Sequence, residues 1–269
     1  MQPTANIWEV LCRDLESEKQ AANAEQYHEI AQKFIESARQ MLRADSPRLC
    51  DAIEIAGDIS QAAGQFPDAM ARFEEAYSLA RLHNFAASSA RLAAKLALLY
   101  DHFGNVQGAR ETYEYAISTY GDLRDHSQHV MLLNRLGALC KAQEDYAAAE
   151  RHYEKAMQVA SSVHGPNHPE VATAANNLGV TYTDLQNYER AENLHMQALA
   201  IREKSFGAMH PEVAQSMANL AVVYHASGKL DQARGFYLGA LDIFKRFRPA
   251  NDPEVQTVQA NYDSLLKHI

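Results

Sequence analysis

Apolar side chains recur every three or four residues along this chain, and no stretch alternates apolar and polar positions as a strand would. The clearest case is Leu178-Gly179 followed by Tyr182. A leucine, a small residue and an aromatic at that spacing form one stripe on a helix of about 3.6 residues per turn. After a short turn at Gln186-Asn187 comes a second pattern, Tyr188, Ala191, His195 and Ala198, whose alanines let a second helix approach closely. The unit predicted is a helix hairpin.

That unit repeats. His168-Pro169-Glu170-Val171-Ala172 returns 42 residues later as His210-Pro211-Glu212-Val213-Ala214, and Asp252-Pro253-Glu254-Val255 follows after another 42. Leu178-Gly179 has counterparts at Leu220-Ala221, Leu136-Gly137, Leu96-Ala97 and Ala56-Gly57, with steps of 40 to 42 residues. His168 or Asp252 as an N-cap, proline in the first helical position and glutamate in the first turn are helix-start signals. The pattern predicts five hairpins over residues 46–250, a capping helix over 251–269 and a degenerate hairpin over 1–45. One continuous solenoid domain is expected, because each repeat buries its stripe against its neighbours.

From about residue 49 to 269 the pattern resembles the tetratricopeptide repeat family, whose fingerprint is Leu-Gly-x-x-Tyr, Ala-x-x-x-Phe and Ala at a usual period of 34. The eight extra residues lengthen each helix of the pair by roughly 6 Å. Together with Ala198-Leu199-Ala200-Ile201-Arg202-Glu203-Lys204-x-Phe206-Gly207 and the His-Pro-Glu-Val-Ala phrases, they are similar to kinesin light chain repeats, strongly so from about residue 134. The resemblance implies an all-α superhelical solenoid of antiparallel helix hairpins and a non-enzymatic adaptor. The long heptad region by which light chains join motor heavy chains is missing before the repeats, so a free-standing bacterial light chain-like protein is the better match. Some proteins of that kind accompany bacterial tubulins, which makes a tubulin-like filament a specific candidate partner.

Composition narrows the alternatives. The formal charge is −9, of which residues 1–85 carry −6, a poor basis for nucleic acid binding. Lys245-Arg246-Phe247-Arg248 is a local exception best read as cations at a helix end. No apolar run reaches the length of a signal core or a membrane span, so a cytoplasmic location is expected. Cys12, Cys50 and Cys140 are far apart and read as reduced thiols on helical stripes. No phosphate loop, nucleophile elbow or cofactor motif is present, and neither cofactor nor metal is expected. Of the 12 histidines, only His126 and His129 approach ligand spacing, without a third ligand nearby.

The resemblance also suggests which residues line the inner wall of the solenoid. Arg91, Lys95, Arg135 and Lys141 form a cationic middle, and Asn134, Asn176, Asn177, Asn219 and Asn261 form an asparagine ladder. Side-chain amides both donate and accept, so such a row can bind the backbone of an extended peptide, and the cations would favour an acidic one. The same asparagines could instead bond neighbouring turns and hold the repeats together.

Overall fold

The computed structural model describes residues 8–13, 15–16 and 26–268, and the chain divides into two compact units, Met1–Asp125 and His126–Ile269. The first contains α1 (Tyr27–Met41), α2 (Pro47–Ala62), α3 (Phe66–Leu82), α4 (Ala86–His102) and α5 (Val106–Leu123). The second contains α6 (His126–Ala142), α7 (Tyr146–His164), α8 (Pro169–Asp184), α9 (Tyr188–Phe206), α10 (Pro211–Ala226), α11 (Leu230–Phe247) and α12 (Pro253–Leu265). No strand occurs among the described residues. Packing is heaviest within the pairs α2–α3, α4–α5, α6–α7, α8–α9 and α10–α11, and α12 covers the open side of α11. This is an all-α tetratricopeptide-type solenoid fold.

Helix starts follow the chemistry of the sequence. His168 and His210 each accept a hydrogen bond at Nδ1 from the backbone N–H two residues on, and Asp252 accepts from both Glu254 and Val255. Proline follows each cap and gives up a backbone donor that would have no partner in the first turn. Inside each hairpin the turn passes through one residue in the left-handed region: Gly64, Gly104, Glu144, Gln186 and Gly228.

Each hairpin is closed by an aromatic ring of its second helix seated on a small residue of its first. A Cβ added at Gly57 would lie 2.5 Å from the Phe73 ring, one at Gly137 2.7 Å from Tyr153, and one at Gly179 2.8 Å from His195. Alanine takes the equivalent place at Ala97 and Ala221, opposite Tyr113 and Tyr237, and all four residues are fully buried or nearly so. Between hairpins, the fingerprint tyrosine reaches back to a glutamate of the preceding second helix. Tyr100 donates to Glu74 at 2.6 Å, Tyr224 to Glu192 at 2.9 Å, and Tyr182 to Glu150. Burial, and then the adjoining Glu192 carboxylate, push the Tyr224 hydroxyl up to about 12.

Before α1, Trp8 lies half-buried with the Arg48 guanidinium 5.6 Å from its ring centre. Of the hairpin expected over residues 1–45, positions 1–7, 14 and 17–25 lie outside the described residues. Cys50 and Cys140 are buried, Cys12 is half-buried, and all three are free thiols.

Two predictions follow from the ring contacts. Gly137→Val should destabilise the second unit by about 1–3 kcal/mol in urea unfolding through overpacking against Tyr153. Gly137→Ala should cost less, because alanine already occupies two sibling positions. His195 is 1% exposed, and burial, reinforced by Arg202, lowers its pKa from the usual 6.5 to about 4. The unfolded chain therefore binds a proton across that window which the folded chain refuses. The stability contributed by keeping this ring neutral should be complete above about pH 6.5 and be lost, by on the order of 3 kcal/mol, as pH falls from there to about 4. His195→Tyr, which copies Tyr153 over Gly137, should flatten this decline when urea midpoints at pH 7 and pH 4.5 are compared; an unchanged pH slope would refute the assignment.

Candidate protein-binding surfaces

In the first unit, α2 presents Asp51, Glu54 and Asp58 on one face, and these meet Arg91 and Lys95 of α4. The Arg91 Nε lies 2.9 Å from both Glu54 oxygens, and its terminal nitrogen donates to Asp51 at 2.9 Å. Lys95 bonds Glu54 at 2.8 Å and Asp58 at 2.7 Å, with its ammonium 5.2 Å from the Phe73 ring centre. Burial works against ionisation of Glu54, but the hydrogen bonds from Arg91 and Lys95 outweigh it and hold the carboxyl below its ordinary range. Two cations thus face three carboxylates. The expected cationic surplus at Arg91 and Lys95 is absent because both charges are matched across the α2–α4 seam.

In the second unit the asparagines bond one another between successive first helices. Asn177 of α8 donates to the Asn134 side-chain oxygen of α6 at 3.2 Å, and Asn134 donates to the Val130 carbonyl at 3.0 Å. Asn219 of α10 donates to the Asn176 oxygen at 2.7 Å. His195 Nδ1 lies 3.2 Å from that same oxygen, which can only accept, so the proton sits on Nδ1. Asn176 is 6% exposed, and this side chain belongs between helices where an open wall was expected. Lys141 and Asp184 continue the seam at 3.1 Å, as do Gln215 and Glu254 at 3.1 Å.

Two depressions remain open beside these seams. One of about 420 Å³ is bordered by Met131, Asn134, Arg135, Glu170, Thr173 and Asn177. Arg135 is exposed there and makes no hydrogen bond or ion pair among the described residues. The other, of about 270 Å³, is bordered by Asn219, Val222, Phe244, Thr257 and half-buried Asn261. Of the expected binding residues in this unit, Asn134, Arg135 and Asn177 come together at the first depression, and Asn219 and Asn261 at the second.

Sequence reading missed one cluster. His164 ends α7, His168 caps α8 and Glu170 lies in its first turn, with one donor atom from each within 4.8 Å of the others. The signal available was His-x-x-x-His-x-Glu spanning a helix boundary.

No helix among the described residues is long and apolar enough to cross a membrane. The tetratricopeptide repeat family model matches residues 128–204 and 176–246. No curated protein matches the chain. Among solved structures, BtubC (BKLC) from P. vanneervenii superposes with a TM-score of 0.69 at 27% identity, covering 85% of this chain and 94% of that one. The nearly identical tetratricopeptide-like repeats of a kinesin light chain-type protein from Podosopora anserina give 0.63 at 20% identity, covering 76% and 99%. RapI in its apo form gives 0.72 at 16% identity, covering 89% and 69%. These last two show the fold alone. Residues 128–246 carry tetratricopeptide repeats, and each unit has the all-α helix-hairpin fold of that repeat type, which suggests a scaffold for protein–protein interaction.

Proposed function

We propose that this protein is a non-enzymatic, light chain-like adaptor that binds and stabilises a bacterial tubulin-like filament in the cytoplasm. The observation that carries the reading is the likeness to BtubC, a bacterial kinesin light chain-like protein, across 85% of this chain. The light chain-type phrases around residues 198–214 support it from the sequence side. Physical chemistry adds a reason for polymer preference. An array of similar hairpins that touches more than one subunit gains avidity through effective concentration, and selective binding to polymer stabilises polymer by mass action.

A second reading has its own support: the depression around Arg135 accepts an acidic extended segment of a regulator or cargo. Arg135 is its uncommitted cation, and the amides of Asn134 and Asn177 stand beside it. Arg91 and Lys95 contribute little here, since their charges are already matched by Asp51, Glu54 and Asp58.

Co-sedimentation with a purified tubulin-like protein tests the first reading. The chain should pellet with polymer and stay in solution with unassembled subunits, and equal recovery in the two cases would overturn it. For the second reading, Arg135→Glu should weaken binding of an acidic peptide by on the order of 1 kcal/mol, about fivefold, and reduce its salt dependence in calorimetric titration. Unchanged affinity and salt slope would exclude the Arg135 depression as the docking site.

A further inference from the structure

Three loops built on one plan lead into α8, α10 and α12, and each places a glutamate in the first turn of its helix: Glu170, Glu212 and Glu254. In two of them an arginine neutralises that carboxylate. Glu212 lies 3.0 Å from the guanidinium of Arg202, a side chain only 4% exposed. Glu254 is paired with Arg248. At the 42-residue period the first loop has Ala160 where the second has Arg202, and His164 where the third has Arg248. Neither guanidinium is available to Glu170. Its Oε2 is shielded from solvent and has no hydrogen-bond partner, with His164 Nε2 at 3.6 Å.

The first loop also holds a second imidazole. The His164 and His168 rings stack with centres 4.3 Å apart and planes at 27°. The second loop keeps this stack but uses Phe206 on His210, at 4.7 Å and 24°. Histidine in place of phenylalanine keeps the stack and brings a ring nitrogen, His164 Nε2, to 3.6 Å from the unbonded Glu170 oxygen. Where the sibling loops supply positive charge directly, a divalent cation held by the two imidazoles and the carboxylate would supply it here, once the rings turn out of the stack so that their in-plane lone pairs converge on the ion.

We infer that His164, His168 and Glu170 form a binding site for a divalent transition metal of the zinc class. Two imidazoles and one carboxylate are a borderline-soft ligand set suited to Zn²⁺, with water completing a fourth position. The carbonyl end of α7, which closes at His164, favours a cation as well. His168 currently uses Nδ1 to cap α8 through a contact that is long for a hydrogen bond, 3.3 Å. Coordination through Nε2 moves the ring proton to Nδ1, and coordination through Nδ1 displaces the contact directly. Either route gives up that weak cap and keeps the imidazole neutral.

Calorimetric titration of the full chain with Zn²⁺, paired with the visible absorption of its Co²⁺ form, tests the site. Wild type should take up one equivalent of metal. His164→Arg, which installs the residue of the third loop, and Glu170→Gln should each weaken uptake by at least about tenfold. Because arginine already occupies the sibling position in a folded loop, His164→Arg should retain the helical circular dichroism of wild type. Absence of stoichiometric uptake by wild type, or uptake unchanged in a folded His164→Arg variant, would overturn the assignment.

Discussion

The contact on which this structure depends is a ring of one helix pressed against a residue with little or no side chain on its partner. The pairs Gly57–Phe73, Ala97–Tyr113, Gly137–Tyr153, Gly179–His195 and Ala221–Tyr237 all keep an offset of 16 residues. A fixed offset with a fixed pair of sizes fixes how closely the two helices of a hairpin approach, because close-packed interiors leave no slack to absorb a change. That spacing in turn places each first helix beside the first helix of the next hairpin within its unit. α2 touches α4, α6 touches α8, and α8 touches α10. The polar bonds along those seams exist because the ring contacts set their distance.

Those seams are as selective as the core. Asn134 with Asn177, Asn176 with Asn219, and Lys141 with Asp184 join residues 43 positions apart, one step beyond the repeat period. The same kind of bridge uses charge in the first unit, where Asp51, Glu54 and Asp58 answer Arg91 and Lys95. A buried carboxylate such as Glu54 would be costly alone, and two cations on one face of α4 would repel each other. Brought together, each offsets the other's penalty. The surface most easily read as a recognition strip is therefore in large part a fastening between hairpins.

This explains which features were legible in the sequence. The hairpins, their turns and their helix starts could be read because each demand is repeated: His168, His210 and Asp252 perform the same capping task. Leu178-Gly179-x-x-Tyr182 announces both a stripe and a close approach. The binding wall was less legible because position on a helix face says where a side chain points but not whether another group meets it. Asn176 was drawn inward by His195, a partner on a different helix. Arg91 and Lys95 could have been foreseen as matched, since Asp51 stands one 40-residue step before Arg91, but only by aligning opposite charges across repeats. His164 escaped notice because its partners lie across a helix boundary, where helical periodicity carries no information.

In a repeat protein, siblings provide a standard for judging departures. His195 replaces a tyrosine or phenylalanine in the ring series, and the amide oxygen of Asn176 answers its added N–H. Arg202 stands where a sibling has Ala160, and it is answered by the Glu212 carboxylate, the Ser216 hydroxyl at 2.9 Å and the Gln215 amide at 3.1 Å. Such compensated departures maintain the fold, because removing either partner would strand a buried polar group. Arg135 differs: it occupies the place of Asn177 and Asn219, faces solvent, and forms no ion pair among the described residues, although Glu170 lines the same depression. No hydrogen bond or ion pair among the described residues accounts for an arginine there. The carboxylate of Glu170 poses the complementary case: both siblings are matched by arginine, while its own Oε2 has no hydrogen-bond partner and lies 3.6 Å from the His164 ring. The physical criterion for function in this scaffold is thus a departure from the repeat that the rest of the protein leaves unanswered.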